Sequence, residues 1–178
     1  MAGTSFSIDV AEIRERARRK MADGPVTDGY GRSAEEVVGV LNDVLATEIV
    51  CWMRYAQHAI SATGIDRAQV AAEFNEHADE ERDHAMRAAE RISQLGGDPD
   101  FDPNTLAERS HTTYATFDDG DLKGMLEENL VAERIVIESY QEIIRWLGDG
   151  DVTTRRIMED ILAEEEEHAD DLMDLLGN

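Results

Sequence analysis

The chain has 178 residues and carries 40 Asp plus Glu against 17 Lys plus Arg, a formal net charge of −23. That length suits one domain with a substantial core, and 42% apolar residues is too many for a disordered acidic tail. The acidity argues against nucleic acid, because a polyanion is repelled across most of such a surface, so no DNA binding is expected. No apolar run approaches a membrane span, and the opening MAGTSFSIDV has neither the basic nor the apolar region of a secretion signal. A cytoplasmic location and no membrane partner are the expectation. The lone Cys51 excludes an internal disulfide and any CxxC metal site.

A short helix is expected from Ile8 to Lys20, inside an N-terminal extension of residues 1–32. Its basic cluster, Arg14, Arg16, Arg18, Arg19 and Lys20, is interleaved with Asp9, Glu12 and Glu15, which reads as a mixed-charge solvated helix. Four long helices follow within a domain over 33–178. They cover 33–63, 66–95, 121–147 and 151–176, rich in Ala, Leu, Glu and Arg and clear of the three prolines. Ser33, Asp66 and Asp151 stand where N-caps belong. The links at 64–66 and 148–151 are tight, which makes two antiparallel hairpins. Between the hairpins, Gly96 to Gly120 is too long for an ordinary loop. A helix of about 28 residues is roughly 42 Å long. A crossover of this size can run the whole bundle and start the third long helix at the opposite end. The fold class is therefore all-α, a four-helix bundle with one long crossover and a short N-terminal helix.

Seam positions recur at alternating steps of four and three. The first long helix gives Leu41, Leu45, Glu48, Trp52, Tyr55 and Ala59; the third gives Leu126, Leu130, Glu133, Ile137, Tyr140 and Ile144, a constant 85 residues later. The second gives Val70, Phe74, His77, Glu81, His84 and Ala88, and the fourth Met158, Ile161, Glu165, His168, Leu172 and Leu175. Here the string Glu-Glu-x-x-His-Ala appears at 80–85 and again 84 residues on, at 164–169. The chain reads as a duplicated helical hairpin.

Each half thus places one Glu on its first seam and a Glu-x-x-His on its second. Residues at i and i+3 share a helix face, so the carboxylate and imidazole can hold one ion together. Measured from the tight turns, Glu48, Glu81, Glu133 and Glu165 all sit roughly 24 Å along their helices, near mid-bundle. Unpaired buried charges cost several kcal/mol each, and no Lys or Arg occupies these seams. Two divalent cations would cancel four carboxylates. An oxygen-rich set with one imidazole per ion suits iron or manganese better than structural zinc.

Several neighbours need placing. Glu80 and Glu164 rival Glu81 and Glu165, but the seam favours the latter. Glu108 and His111 repeat the spacing inside the crossover and read as non-ligands. Tyr55 and Tyr140 lie two turns beyond their Glu on the same face. Each is either core with a satisfied hydroxyl, or a hydrogen-bond partner of a ligand or a radical trap. Cys51 and Trp52 read as core. His77 reads as near the site without being a primary ligand, and His58 carries no signal.

With LNDVLATE ending at Glu48, EERDH at 80–84, LVAER at 130–134 and EEEEH at 164–168, the chain resembles the ferritin-like superfamily over roughly residues 35–176. Within it, the resemblance is to bacterioferritin and the Dps-like ferritins. It implies a ferritin-like bundle for iron storage and detoxification, whose ferroxidase centre binds two Fe²⁺ that O₂ or H₂O₂ oxidises before ferric mineral accumulates inside a shell. On that reading Glu48, Glu81 and His84 hold one iron and Glu133, Glu165 and His168 the other. Glu81 and Glu165 bridge, and Tyr55 matches a bacterioferritin tyrosine. Two irons per subunit are the expected cofactors, with manganese the alternative. Arg82 stands where bacterioferritins carry a haem-ligating Met, so haem is not expected. Only ten residues follow His168, and the N-terminal helix is of the Dps-like kind, which favours a homo-oligomeric shell of 12 subunits over 24. The contrasting function is a peroxidase or catalase without a cage, rubrerythrin-like or a manganese catalase.

Overall fold

Capping side chains decide where most of the helices begin. In the computed structural model, which describes residues 6–117 and 121–177, Asp9 accepts from Glu12 N and starts α1 (Val10–Arg19). Ser33 accepts from Glu36 N and starts α2 (Ala34–Ser61). Asp121 accepts from Gly124 N and starts α5 (Leu122–Leu147), and Asp151 accepts from Thr154 N and starts α6 (Val152–Leu176). α3 (Arg67–Gln94) is the exception, since Asp66 makes no side-chain cap bond. α4 (Leu106–Arg109) is a single turn that was not expected inside the crossover. No strand occurs among the described residues. Gly148 and Gly177 end α5 and α6 with φ of 50° and 75°, values that a side chain disfavours. The four long helices keep to the expected spans within two residues at each end, and the DDG of the crossover at 118–120 lies outside the described residues.

α2 packs on α3 and α5 on α6. The hairpins then meet through α3 on α6 and α2 on α5. At one end of the bundle Asn42 bonds the backbone of Asp98 and Asp100, just after α3. At the other end Gly64 lies beside Leu122, at the start of α5. The crossover therefore travels the length of the bundle, and its contacts climb α2 in order. Arg109 donates to Asn42 O, His111 N to Thr47 Oγ1, Arg54 to Thr113 O, and His58 meets Ala115 O.

The apolar core is split. One cluster, with Leu41, Leu45, Ile92, Leu147, Met158 and Ile161, fills the end where α2 begins. A second, with Tyr55, Phe74, Met125, Leu126 and Leu172, fills the other. Val26 and Tyr30, just ahead of α2, pack against the first cluster. A Cβ on Gly31 would lie 2.9 Å from Gly150 Cα, so the chain passes the α5–α6 link at backbone contact.

One seam assignment is corrected. Trp52 is 36% exposed, whereas Cys51 is fully buried. The two flank the Glu48–Tyr55 line on opposite sides, and the crossover covers only one of them: Cys51 Sγ lies 3.4 Å from Thr112 Oγ1. Leu130, Ile137, Ile144 and Leu175 are only half-buried, while Val136 is fully enclosed.

Asp151 ties the end of the bundle together. It caps α6 through Thr154 N at 2.9 Å, accepts from the Thr154 hydroxyl, pairs with Arg91 Nη2 at 3.1 Å and accepts from Tyr30 OH at 2.7 Å. Burial raises the carboxyl pKa, but the Thr154 and Tyr30 bonds and the Arg91 charge outweigh it and hold it below the usual range. Its contribution is thus complete at neutral pH and lost only in acid, as pH falls through that lowered value. Asp151→Ala removes a helix cap and leaves Arg91 buried without its ion-pair partner. The expected loss is about 3 kcal/mol; Asp66→Ala, lacking a cap bond, should lose under about 0.5. Denaturant midpoints at fixed protein concentration check both.

Candidate metal centre

Between the two apolar clusters lies a polar layer. α2 contributes Glu48, α3 Glu81 and His84, α5 Glu133, and α6 Glu165 and His168, all essentially without solvent exposure. The structure brings these six side chains together. They form two groups, Glu48–Glu81–His84–Glu165 and Glu81–Glu133–Glu165–His168, in each of which one donor atom per residue lies within 4.8 Å of the others. Glu81 and Glu165 belong to both. His84 Nδ1 is 3.0 Å from Glu165 Oε1 and 3.7 Å from Glu81 Oε2; His168 Nδ1 is 3.4 Å from Glu165 Oε2 and 3.7 Å from Glu81 Oε1.

The outward atoms of this set are satisfied and the inward ones are not. Tyr55 OH donates to Glu133 Oε1 and Tyr140 OH to Glu48 Oε1, each crossing from the other half of the repeat. Glu164 holds His84 Nε2 at 2.5 Å, and Glu80 holds His168 Nε2 at 2.8 Å. Arg87 in turn pairs with Glu164 at 3.2 Å. Left without a hydrogen-bond partner are Glu48 Oε2, Glu133 Oε2, both oxygens of Glu81 and of Glu165, and Nδ1 of His84 and His168. Buried polar atoms are almost always paired, so eight orphans facing one small volume call for a ligand that accepts lone pairs. The rivalry between adjacent acids is resolved in space: Glu81 and Glu165 face inward, while Glu80 and Glu164 orient the imidazoles from outside.

Proton binding reports the same conflict. Burial, then repulsion from Glu81 and Glu165, pushes the Glu48 and Glu133 carboxyls well above the usual range. Burial also works against charge on Glu165, but the two adjacent imidazoles outweigh it and hold that carboxyl well below. Burial opposes protonation of the imidazoles as well. The carboxylates around them prevail, and they are pushed up to about 12 for His84 and about 10 for His168. Without ions the site balances its charge with protons. Cations would take over that role and expel them.

Sequence reasoning missed a buried polar ladder beside the centre. Arg54 is fully buried on α2, with Nε bonded to Asn129 Oδ1 at 2.8 Å and Nη1 to Thr113 O at 2.9 Å. Asn129 Nδ2 lies 3.0 Å from His58 Nδ1, and His58 Nε2 lies 3.0 Å from Ala115 O. Burial lowers the His58 pKa to about 4 and so keeps the ring neutral. An arginine in an amphipathic helix reads as surface, so only its place directly before seam residue Tyr55 could have signalled this. His77 stacks on His168 with ring centroids 4.1 Å apart. Burial raises the Cys51 thiol well above its usual value, which leaves it inert.

Residues 38–178 match the family model described as a ferritin-like domain. The chain belongs to that family. It is 31% identical to a nutrient stress-induced DNA-binding protein from Synechococcus over 132 residues, covering 72% of this chain and 74% of the relative. It is 30% identical to the bacterioferritin of Desulfovibrio desulfuricans over 134 residues, covering 75% and 70%. Among solved structures it is similar to the bacterioferritin-related protein of Bacteroides fragilis, described as a dodecameric thioferritin. The TM-score there is 0.79 and the identity 38%, covering 83% of this chain and 88% of that one.

The tyrosine bonds carry a measurable consequence in this ferritin-like domain. Tyr55→Phe strips Glu133 Oε1 of its donor inside the bundle. In chelator-treated protein it is expected to lower stability by about 1–3 kcal/mol, read from thermal unfolding at fixed protein concentration.

Proposed function

We propose that this ferritin-like protein is a ferroxidase that oxidises Fe²⁺ at its buried centre and stores the ferric product in a homo-oligomeric shell. One observation carries the reading: eight inward donor atoms on four carboxylates and two imidazoles have no hydrogen-bond partner, while the outward atoms of the imidazoles and of Glu48 and Glu133 are held by hydrogen bonds. Four carboxylates balance the charge of two divalent ions. Mixed oxygen and nitrogen donors without thiolate suit iron, with manganese the alternative.

Fe²⁺ is the substrate. Glu48, Glu81 and His84 hold one ion and Glu133, Glu165 and His168 the other, with Glu81 and Glu165 shared. Each Fe²⁺ gives up one electron; H₂O₂ takes two electrons and two protons to form two waters, and O₂ takes the same to form H₂O₂. Glu80 and Glu164 fix each imidazole so that Nδ1 points inward, and Tyr55 and Tyr140 keep the second oxygen of Glu133 and Glu48 aimed at the ions. Protons displaced from Glu48, Glu133 and the imidazoles leave as iron binds, so uptake weakens as pH falls.

The dodecameric relative at 38% identity supports the shell, and we assign 12 subunits here. Residues 1–32 then act as an extension to a domain over 33–178, and the location is the cytoplasm. No helix is long and apolar enough to cross a membrane among the described residues. DNA binding is not part of the proposal, since Arg16 and Lys20 are paired with Glu12 and Asp28. Arg82, ion-paired with Asp79 on the surface, offers no sulfur ligand for haem.

Aerobic Fe²⁺ addition should give ferric absorbance. The Glu81→Ala, Glu165→Ala double variant should slow it by more than the about 10- to 100-fold typical of losing a supporting partner. Unchanged kinetics would exclude the centre. Size exclusion should show a particle near twelve times the 19.9 kDa chain; a dimer would instead favour the cage-free peroxidase or catalase. Titrating metal-free protein with Fe²⁺ under anaerobic conditions should release protons into a weakly buffered solution.

A further inference from the structure

One cluster outside the centre has no role so far. His77 on α3 is 1% exposed, yet neither of its ring nitrogens has a hydrogen-bond partner. Its Nε2 faces Glu73 Oε1 at 3.4 Å and Asp171 Oδ2 at 3.7 Å, and donor atoms from the three residues all lie within 4.8 Å of one another. Ligands about 2.1 Å from an ion and roughly 90–110° apart sit about 3.0–3.5 Å from each other. The trio is therefore within a small side-chain adjustment of coordination distance. With His168 and four further glutamates it lines a cavity of about 70 Å³ that has no Lys or Arg on its wall.

Packing alone does not account for this arrangement. The stack of His77 on His168 explains why a flat ring is present, but not why its unpaired nitrogen is aimed at two carboxylates. The internal repeat supplies a control. The positions 84 residues from Glu73, His77 and Asp171 are Ile157, Ile161 and Arg87. Ile161 is buried in the core with Ile157 against it, and Arg87 pairs with Glu164. The equivalent positions thus carry apolar side chains and a cation paired with Glu164. The His77 side carries two carboxylates and an imidazole instead, beside a cavity that reaches His168.

We propose that Glu73, His77 and Asp171 form a third divalent-cation site, which takes Fe²⁺ at the cavity and delivers it to the centre behind His168. A neutral imidazole supplies the nitrogen donor, and two carboxylates match the charge of one divalent ion. The identity of the ion as Fe²⁺ rests on the ferroxidase reading; the ligand set does not.

Co²⁺ serves as the probe, added anaerobically to metal-free full-length protein. Bound metal is counted after equilibrium dialysis and located by anomalous scattering from soaked crystals. Wild type should show a peak at His77 Nε2 in addition to the central ones. His77→Phe, which preserves the stacked ring, and Asp171→Asn, at a half-exposed position, should each bind one Co²⁺ fewer per chain and lose that peak alone. The Glu81→Ala, Glu165→Ala variant should lose the central peaks and keep the one at His77. No peak at His77 in wild type, or an unchanged count in both single variants, overturns the site. Central peaks that persist in the double variant overturn the ferroxidase centre instead, and leave the His77 site to be decided by its own variants.

Discussion

Four carboxylates buried in the middle of a helical bundle are the constraint on which the rest of this molecule depends. Each would cost several kcal/mol if charged and unpaired. Without ions the protein contains that cost by protonating Glu48 and Glu133 and by charging His84 and His168. The arrangement tolerates the absence of cations but is not built for it, since its inward atoms lack hydrogen-bond partners. The two apolar clusters on either side give the stability that this layer takes away. They also exclude water, so attraction between the layer and a cation is weakly screened.

The duplication explains how so many charged groups are held in place. Each half of the repeat supports the other. Tyr55 from the first half fixes Glu133 in the second, and Tyr140 returns the bond to Glu48. Glu80 orients His168 and Glu164 orients His84 in the same crossed fashion. Glu48, Glu133, His84 and His168 are thus each positioned by a helix other than their own, and the centre exists only when both hairpins are docked. The crossover adds a third support. It lies along α2, covers Cys51 and gives the buried Arg54 its backbone acceptor at Thr113.

Departures from the repeat are as informative as its matches. At one end of the centre the paired positions are isoleucines and an arginine, and at the other they are Glu73, His77 and Asp171. A symmetric bundle acquires one polar mouth in this way. Six of the chain's 40 acids line that mouth with no Lys or Arg among them, so a potential attractive to cations lies beside the route inward.

The long helices, their pairing and the six inward side chains were all legible in the sequence, because each depends on period. A seam that recurs every three and four residues marks the buried face whatever residue occupies it. Equal distances from tight turns set Glu48, Glu81, Glu133 and Glu165 at one height. Side-chain choices that depend on what lies across the bundle were not legible. Nothing in the spacing separated Cys51 from Trp52, because the crossover decides which flank of α2 is covered. Apart from the place of Arg54 directly before seam residue Tyr55, nothing marked Arg54 or His58 as interior, because their partners, Thr113, Asn129 and Ala115, are more than fifty residues away in the chain. The sequence by itself therefore determined which residues face inward along each helix, a local property of the helical repeat. Only the tertiary structure decided which atoms those residues share, since hydrogen bonds between helices depend on docking that no single helix encodes.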